Sequence, residues 1–166
     1  MAAIRRRADL VPPPLLGISA DLTSQAPALP DLELRFLVIA LSASPRTQES
    51  YRATYVDGLA RALDALDATG QQATRAVLIS STGVFGTNDP GTVITEDTPA
   101  EPSDGPAQVL LEAEHLFADR VPQGTVLRLS GLYGRGPARF VNQVTRGEVT
   151  DPHRWTNRIH RDDAAG

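Results

Sequence analysis

One stretch of the sequence decides the fold: Ala76-Val77-Leu78-Ile79-Ser80-Ser81-Thr82-Gly83-Val84-Phe85-Gly86. Its first four residues are apolar, and such a run predicts a strand buried on both faces, as the strands of parallel sheets are. Hydroxyl side chains and glycine follow at once. Because ligands of open α/β sheets bind beyond the carboxyl ends of the strands, we expect Ser80, Ser81 and Thr82 to project their hydroxyls into a crevice. Alternatively, these hydroxyls only satisfy backbone groups of a turn.

The composition is that of a globular protein and excludes several classes of function. The 166 residues carry a net charge of -4, which argues against nucleic-acid binding, and they include no cysteine for disulfide or thiolate chemistry. Because the chain has no membrane-spanning apolar run and no signal-peptide core, we predict a cytoplasmic protein that binds no membrane. Three scattered histidines predict no metal site. All 16 basic residues are arginine, which excludes any mechanism that needs a lysine.

Helices and strands alternate on the N-terminal side of this stretch. Residues 35–41 predict a second buried strand, and residues 15–19 a shorter one. Ser44 followed by Pro45 predicts the start of a helix, which Gly70 ends. One face of that helix repeats large side chains every three or four positions, namely Tyr51, Tyr55, Leu59, Ala62 or Leu63, and Leu66. A strand, a helix and a strand in this order predict parallel pairing.

The alternation continues on the C-terminal side. Ser103 predicts the N-cap of a second helix. Its apolar face is formed by Val109 or Leu110, Ala113, and Leu116 or Phe117. Residues 125–129 predict another strand, residues 139–146 a short helix, and Asp162 the start of a last helix. The fold class is therefore α/β.

Six short motifs occur in this chain order: Asp21-Leu22-Thr23, Tyr55-Val56-Asp57-Gly58, Ser80-Ser81-Thr82-Gly83-Val84-Phe85-Gly86, Leu110-Leu111-Glu112-Ala113-Glu114, Leu127-Arg128-Leu129-Ser130-Gly131-Leu132-Tyr133-Gly134 and Arg158-Ile159-His160-Arg161-Asp162-Asp163. Together they resemble the extended and atypical short-chain dehydrogenase/reductases, the NAD-dependent epimerase/dehydratase group. The resemblance spans nearly the whole chain. It implies a Rossmann-like parallel sheet flanked by helices, with NAD or NADP as the cofactor.

The resemblance also indicates which parts of the family pattern this sequence does not contain. The family begins with a strand, a G-x-G-x-x-G turn and a helix, and no such glycine triplet occurs here. We therefore expect residues 1–166 to be a partial NAD(P)-binding Rossmann domain, truncated at both ends, with residues 137–166 beginning the substrate-binding region. The family's first strand is central in the order 3-2-1-4-5-6. Its absence predicts exposed apolar edges.

The resemblance implies one catalytic hydroxyl but no acid–base dyad. Ser81 matches the family's catalytic Ser/Thr and would hydrogen-bond a substrate hydroxyl or carbonyl. The family's paired Tyr and Lys fall on Pro106 and Leu110, neither of which can transfer a proton. Tyr133, the only tyrosine expected near the crevice, is a substitute proton donor or packs beside the cofactor.

Cofactor-binding residues follow from the same resemblance. They are Asp21 and Leu22 beside the adenine, Leu41, Ser42 and Ala43 along the dinucleotide, Ser80 and Ser81 at the nicotinamide ribose, and Leu129, Gly131 and Leu132 at the nicotinamide. Arg5 and Arg6 lie where the family discriminates between cofactors, and arginine there suits the 2′-phosphate of NADP. Alternatively, they belong to a solvated basic terminus.

Substrate-binding residues are expected in Thr82, Trp155, Asn157, Arg158 and His160, with Arg158 holding an anionic group. Trp155 could instead only cover a sheet edge. The resemblance implies an NAD(P)-dependent oxidoreductase or nucleotide-sugar epimerase/dehydratase that acts on a small molecule, such as a nucleotide sugar or another anionic metabolite. The alternatives are a dinucleotide-binding pseudoenzyme, which senses or scaffolds, and an inactive fragment.

Overall fold

The computed structural model describes residues 1–31, 33–86, 91–134, 139–148 and 156–166. The chain divides into two units, Met1–Leu127 and Arg128–Gly166. The assignment of residues 137–166 to a substrate-binding region remains a prediction. None of the helices in the described ranges combines the length and the hydrophobicity that a membrane crossing requires.

Strands and helices alternate along the described residues. The strands are β1 (Ala2–Arg5), β2 (Leu16–Ser19), β3 (Phe36–Ile39), β4 (Arg75–Ser81), β5 (Thr125–Leu129), β6 (Gly131–Tyr133) and β7 (Arg158–His160). The α-helices are α1 (Gln48–Tyr51), α2 (Gly58–Ala68), α3 (Gly105–Arg120), α4 (Arg139–Thr145) and α5 (Arg161–Ala165). A π-helical turn, Arg52–Asp57, joins α1 to α2, and 3-10 turns cover Ala8–Leu10 and Thr82–Phe85.

The pairing of the strands confirms the predicted parallel α/β class. β1 pairs with β2 in parallel, with Ala2 opposite Leu16, and β3 pairs with β4 in parallel, with Phe36 opposite Arg75. β5 completes the order β3-β4-β5, and β6 pairs with β7 in parallel. These are the Rossmann-like parallel sheets, flanked by helices, that the motifs predict.

The sheet is interrupted between β1–β2 and β3–β4–β5. In the doubly wound order 3-2-1-4-5-6, the pair β2-β1 corresponds to strands 3 and 2, and β3-β4-β5 corresponds to strands 4, 5 and 6. The interruption falls where strand 1 belongs. No strand within the described residues takes that place.

The core lies on one face of β3 and β4. Leu59 and Leu63 of α2, together with Ala113 and Phe117 of α3, pack there against Ile39, Ala76 and Leu78. On the opposite face, Phe36 is 71% exposed and Val38 is 66% exposed. Residues 35–41, predicted as a buried strand, are therefore buried on one face only. The prediction that residues 76–79 are buried on both faces is wrong as well, because Val77 and Ile79 on the second face of β4 are only half-buried. The sequence predicts exposed apolar edges, whereas Phe36 and Val38 lie on a face of β3 that no helix within the described residues covers.

Both helical segments predicted from the sequence, the one that α1 opens and α3, begin later than the sequence suggests. α1 begins at Gln48, where the Oγ1 of Thr47 accepts a hydrogen bond from the Ser50 amide at 3.2 Å. α3 begins at Gly105, where Oδ1 of Asp104 accepts one from the Ala107 amide at 2.7 Å. Thr47 and Asp104 thus replace the predicted caps Ser44 and Ser103, since the cap is the residue whose oxygen reaches the third amide of the helix.

Candidate cofactor site at the ends of β3 and β4

The loop after β4 holds Ser81, the predicted catalytic hydroxyl. Ser81 is half-buried, and its Oγ accepts a hydrogen bond from the Gly83 amide at 3.1 Å. This bond caps the turn Thr82–Phe85, whose last two residues are buried against Leu110 of α3. A hydroxyl that accepts one bond keeps its own hydrogen to donate. Ser81 is thus held at the strand end with a donor still available, while Thr82 beside it is exposed.

Ser80 points the other way. Its side chain is 9% exposed, and its Oγ donates to Oε1 of Glu114 at 2.5 Å inside the protein. The expectation that the Ser80 hydroxyl projects into a crevice is wrong, because successive side chains of a strand point to opposite faces. A contact between Ser80 and a cofactor remains a prediction.

Sequence reasoning missed Glu114. It is 4% exposed and lies on the core side of α3. A signal was present, because Glu114 follows Leu110 by four residues and precedes Phe117 by three, which puts it on the same helical face as both. A carboxylate in the middle of an apolar stripe indicates a buried polar partner.

The loop after β3 leaves the same edge of the sheet as the Ser81 loop, because β3 and β4 are neighbouring parallel strands. In this loop, Leu41 packs against the core and Ser42 is exposed. The backbone of Ala43 lies beside the phenol of Tyr55. Burial raises the pKa of Tyr55, and the Ala43 backbone partly offsets that rise.

The end of α1 and the π-helical turn after it each present one tyrosine to this edge. The rings of Tyr51 and Tyr55 lie 5.0 Å apart, and both side chains pack against the cluster of Val84, Phe85 and Leu110. Tyr55 therefore contacts the loop after β3 and the turn after β4. Helical periodicity predicts Tyr55 on the core face, where it packs, but gives no sign of the π-helical turn, a feature often found at functional sites. That Tyr133 is the only tyrosine near the crevice remains a prediction.

The turn after β2, the predicted adenine contact, is tightly built. Oδ1 of Asp21 accepts hydrogen bonds from Oγ1 of Thr23 at 2.7 Å and from its amide at 3.0 Å. These bonds, and then the charge of Arg6, lower the pKa of Asp21. The Leu22 carbonyl accepts a hydrogen bond from Arg61 of α2 at 2.9 Å.

Arg5 is the last residue of β1 and Arg6 follows it, and both are exposed. Oγ of Ser19 donates to the Arg6 carbonyl at 3.0 Å, which ties the end of β2 to this segment. The structure therefore brings Arg6 near the Asp21 turn. The contact of either arginine with a 2′-phosphate remains a prediction.

The second unit brings together several predicted nicotinamide and substrate residues. The Gly131 amide donates to the Asn157 carbonyl at 3.2 Å, and a Cβ at Gly131 would lie 3.1 Å from Nη1 of Arg158. Tyr133 meets the ring of His160 edge-on at 5.1 Å. Leu132 is 54% exposed, and Leu129 at the end of β5 is half-buried. Trp155 lies outside the described residues.

The amino-acid sequence matches no protein-family model and no curated protein. The structure resembles a proposed NAD-dependent epimerase/dehydratase from Methylobacillus flagellatus, with a TM-score of 0.72 and 34% identity over 99% of this chain and 57% of that one. It also resembles MoeE5 in complex with UDP-glucuronic acid and NAD, with a TM-score of 0.74 and 25% identity over 98% of this chain and 60% of that one.

A third solved structure supports the fold alone. It is the UDP-N-acetylglucosamine 4-epimerase from Methanobrevibacter ruminantium M1 in complex with UDP-N-acetylmuramic acid, with a TM-score of 0.69 and 17% identity over 96% of this chain and 60% of that one. The chain spans less than two thirds of the length of these solved structures. In its motifs, its parallel strands and its fold, the chain is similar to NAD-dependent epimerase/dehydratases of the short-chain dehydrogenase/reductase type.

Proposed function

We propose that the chain forms the NAD-binding part of an epimerase/dehydratase-like enzyme that acts on a nucleotide sugar or another anionic metabolite. The observation that carries the proposal is the hydroxyl of Ser81, which is fixed at the carboxyl end of a parallel strand beside the loop that Ser42 and Ala43 form. That edge of an open α/β sheet is where such folds bind ligands. The solved relative at 25% identity contains both NAD and a nucleotide sugar.

The residues present fit NAD from its adenine end to its nicotinamide end. The Asp21–Leu22 turn, rigid and attached to α2, suits the adenine end, and the loop of Leu41, Ser42 and Ala43 suits the dinucleotide. Ser81 suits the nicotinamide end, where Leu129, Gly131 and Leu132 are also proposed to bind. Bound NAD supplies a hydride acceptor. The sequence has no G-x-G-x-x-G turn for the pyrophosphate, so we expect modest affinity from these residues alone.

Ser81 is proposed to orient the substrate. Because its Oγ accepts the Gly83 amide, its hydrogen is available for an outside acceptor, such as a carbonyl or hydroxyl oxygen of the substrate. Thr82, exposed beside it, is proposed to contact the same substrate. In the second unit, Asn157, Arg158 and His160 are proposed substrate contacts, with Arg158 pairing with an anionic group. Trp155 is also a proposed substrate contact.

Proton transfer needs a group other than the family's dyad. Pro106 occupies the first turn of α3, and Leu110 is buried against Val84 and Phe85, so neither position can supply an acid or base. Tyr133 is the proposed proton donor. Its ring meets His160, so the two form one aromatic pair on β6 and β7.

The missing dyad also favours a second candidate function, a dinucleotide-binding pseudoenzyme that senses or scaffolds. The two proposals share the cofactor site and differ in turnover. Consumption of NADH or NADPH with a panel of carbonyl compounds, or interconversion of UDP-sugars, would support the enzyme. Saturable cofactor binding without any turnover would support the pseudoenzyme. A cytoplasmic location remains a prediction in both cases.

Titration of NADH fluorescence tests the shared site. We expect saturable binding to the wild-type chain and a dissociation constant about fivefold higher for Ser81→Ala, the loss expected for one hydrogen bond. Ser103→Ala removes an exposed hydroxyl that caps no helix, and it is the matched control with unchanged affinity. Absence of binding to the wild-type chain would refute the proposal. Equal affinity of wild type and Ser81→Ala would remove Ser81 from the site.

A further inference from the structure

The buried pair Ser80–Glu114 has no role in the proposed chemistry. Within the described residues, Glu114 is the only carboxylate classed as buried, and Ser80 is the only other buried polar residue. Oγ of Ser80 donates to Oε1 of Glu114 at 2.5 Å. A carboxylate taken out of water is costly unless hydrogen bonds compensate it, so the bond from Ser80 is strongly favoured. A buried bond to a carboxylate fixes the direction of the Ser80 side chain.

The direction of Ser80 determines that of Ser81. The two residues are consecutive in β4, and consecutive strand residues point to opposite faces. With Ser80 bound inward to α3, Ser81 must face outward, where its Oγ receives the Gly83 amide. A rotation of the strand end that freed Ser80 would move Ser81 as well.

Helix α3 holds the same segment at a second point. Leu110, one helical turn before Glu114, packs against Val84 and Phe85 in the turn that follows Ser81. Helix α3 thus contacts the strand end through the polar pair Glu114–Ser80, and it contacts the following turn through the apolar side chain of Leu110. The polar contact is the directional one, since packing alone tolerates sliding but a hydrogen bond does not.

We propose that Glu114 is a positioning residue: by binding Ser80 it holds the end of β4 so that Ser81 faces the cofactor and its substrate. The inference rests on the proposed NAD site. It assigns to α3 a function in the site although this helix carries no residue of the family's dyad. Glu114 itself touches neither cofactor nor substrate in this proposal.

Three variants test the positioning. Glu114→Leu keeps the volume but removes the acceptor, and Glu114→Gln keeps an acceptor for Ser80. Glu112→Leu is the matched control, because Glu112 lies on the same helix, pairs with Arg52 and is 45% exposed. Two quantities are measured: the exchange rate of the Gly83 amide by NMR and the dissociation constant of NADH. The first reports the loop directly and needs no cofactor.

We expect Glu114→Leu to raise the Gly83 exchange rate and the NADH dissociation constant by about fivefold each. This is the effect expected when one hydrogen bond that orders the loop is lost. Glu114→Gln and Glu112→Leu should stay within about twofold of wild type. In a Ser81→Ala background, Glu114→Leu should have no further effect on NADH binding, because its effect passes through Ser81.

Two results would overturn the inference. One is wild-type Gly83 exchange in Glu114→Leu, which would show that Glu114 does not order the loop. The other is an equal loss of NADH affinity from Glu114→Leu with and without Ser81, which would show a general structural role. Failure of the wild-type chain to bind NADH refutes the proposed function and with it the link to a cofactor. The exchange rates then still decide whether Glu114 orders the Ser81 loop.

Discussion

Removal of the Asp104 carboxylate should destabilise the first unit measurably. Oδ1 of Asp104 caps α3 through the Ala107 amide, and its Oδ2 binds Nη2 of Arg46 at 2.9 Å. Loss of an N-cap costs about 1 kcal/mol. The Arg46 pair is largely exposed, so it adds about 0.5 kcal/mol at most. Asp104→Ala should therefore lower the free energy of unfolding by about 1.5 kcal/mol.

Urea denaturation, followed by far-ultraviolet circular dichroism, measures this loss. With an m-value of about 2 kcal/mol per molar urea, the midpoint should fall by about 0.7 M in Asp104→Ala. Asp104→Asn keeps a capping oxygen and loses only the ion pair, so its midpoint should fall by about 0.2 M. Ser103→Ala is the control, with a change of less than about 0.5 kcal/mol.

The effect of Asp104 should also depend on pH. The bond from the Ala107 amide, and then Arg46, lower the pKa of Asp104 below its ordinary value of 3.8. A carboxyl whose pKa is lowered by folding stabilises the protein above its unfolded pKa, and this contribution is lost as the pH falls through the folded pKa. The difference between wild type and Asp104→Ala should therefore be constant at neutral pH and shrink in acid.

One outcome would refute this reasoning directly. If Ser103→Ala were as destabilising as Asp104→Ala, the cap would be the serine that the sequence suggests, and the observed bond to Ala107 would not stabilise the helix. A difference that is unchanged across the acid range would show that the charge of Asp104 contributes nothing to stability.

Two further predictions concern the core and the cofactor. Phe117→Ala, at a fully buried position, should cost about 4 kcal/mol, whereas Val38→Thr on the open sheet face should cost less than about 0.5 kcal/mol; thermal unfolding measures both, and equal losses would contradict the one-sided core. The double variant Arg5→Ala with Arg6→Ala should weaken NADPH binding more than NADH binding, and unchanged discrimination in a fluorescence titration would refute a 2′-phosphate contact at these residues.

The sequence sufficed for the parallel order of strands and for most of the apolar residues that α2 and α3 bury, because apolar periodicity reports these directly. It did not predict which face of β4 is open. An unbroken apolar run from Ala76 to Ile79 is typical of a strand that is covered on both faces. Whether a helix packs on the second face depends on the tertiary structure, and the run itself does not report it. The position of Ser80 follows from that face and was missed with it.

The candidate site shows a similar division. Motifs placed Ser81 at a strand end, where the structure has it, because strand ends and turns are local features. The sequence did not predict the roles of Tyr55 and Glu114, because these roles depend on tertiary neighbours. Tyr55 lies beside Ala43, and Glu114 accepts a hydrogen bond from Ser80. The roles of Tyr133 and Arg158 in catalysis and substrate binding are predictions for experiments on the second unit.

The interruption between β1–β2 and β3–β4–β5 has a consequence for how this polypeptide behaves in isolation. Within the described residues, β1 and β3 each have one side without a neighbouring strand. Free amides and carbonyls along such a side are a template for another extended segment. A peptide of suitable sequence, added in trans, would complement the molecule there, whereas a concentrated sample without one would self-associate through the same backbone groups.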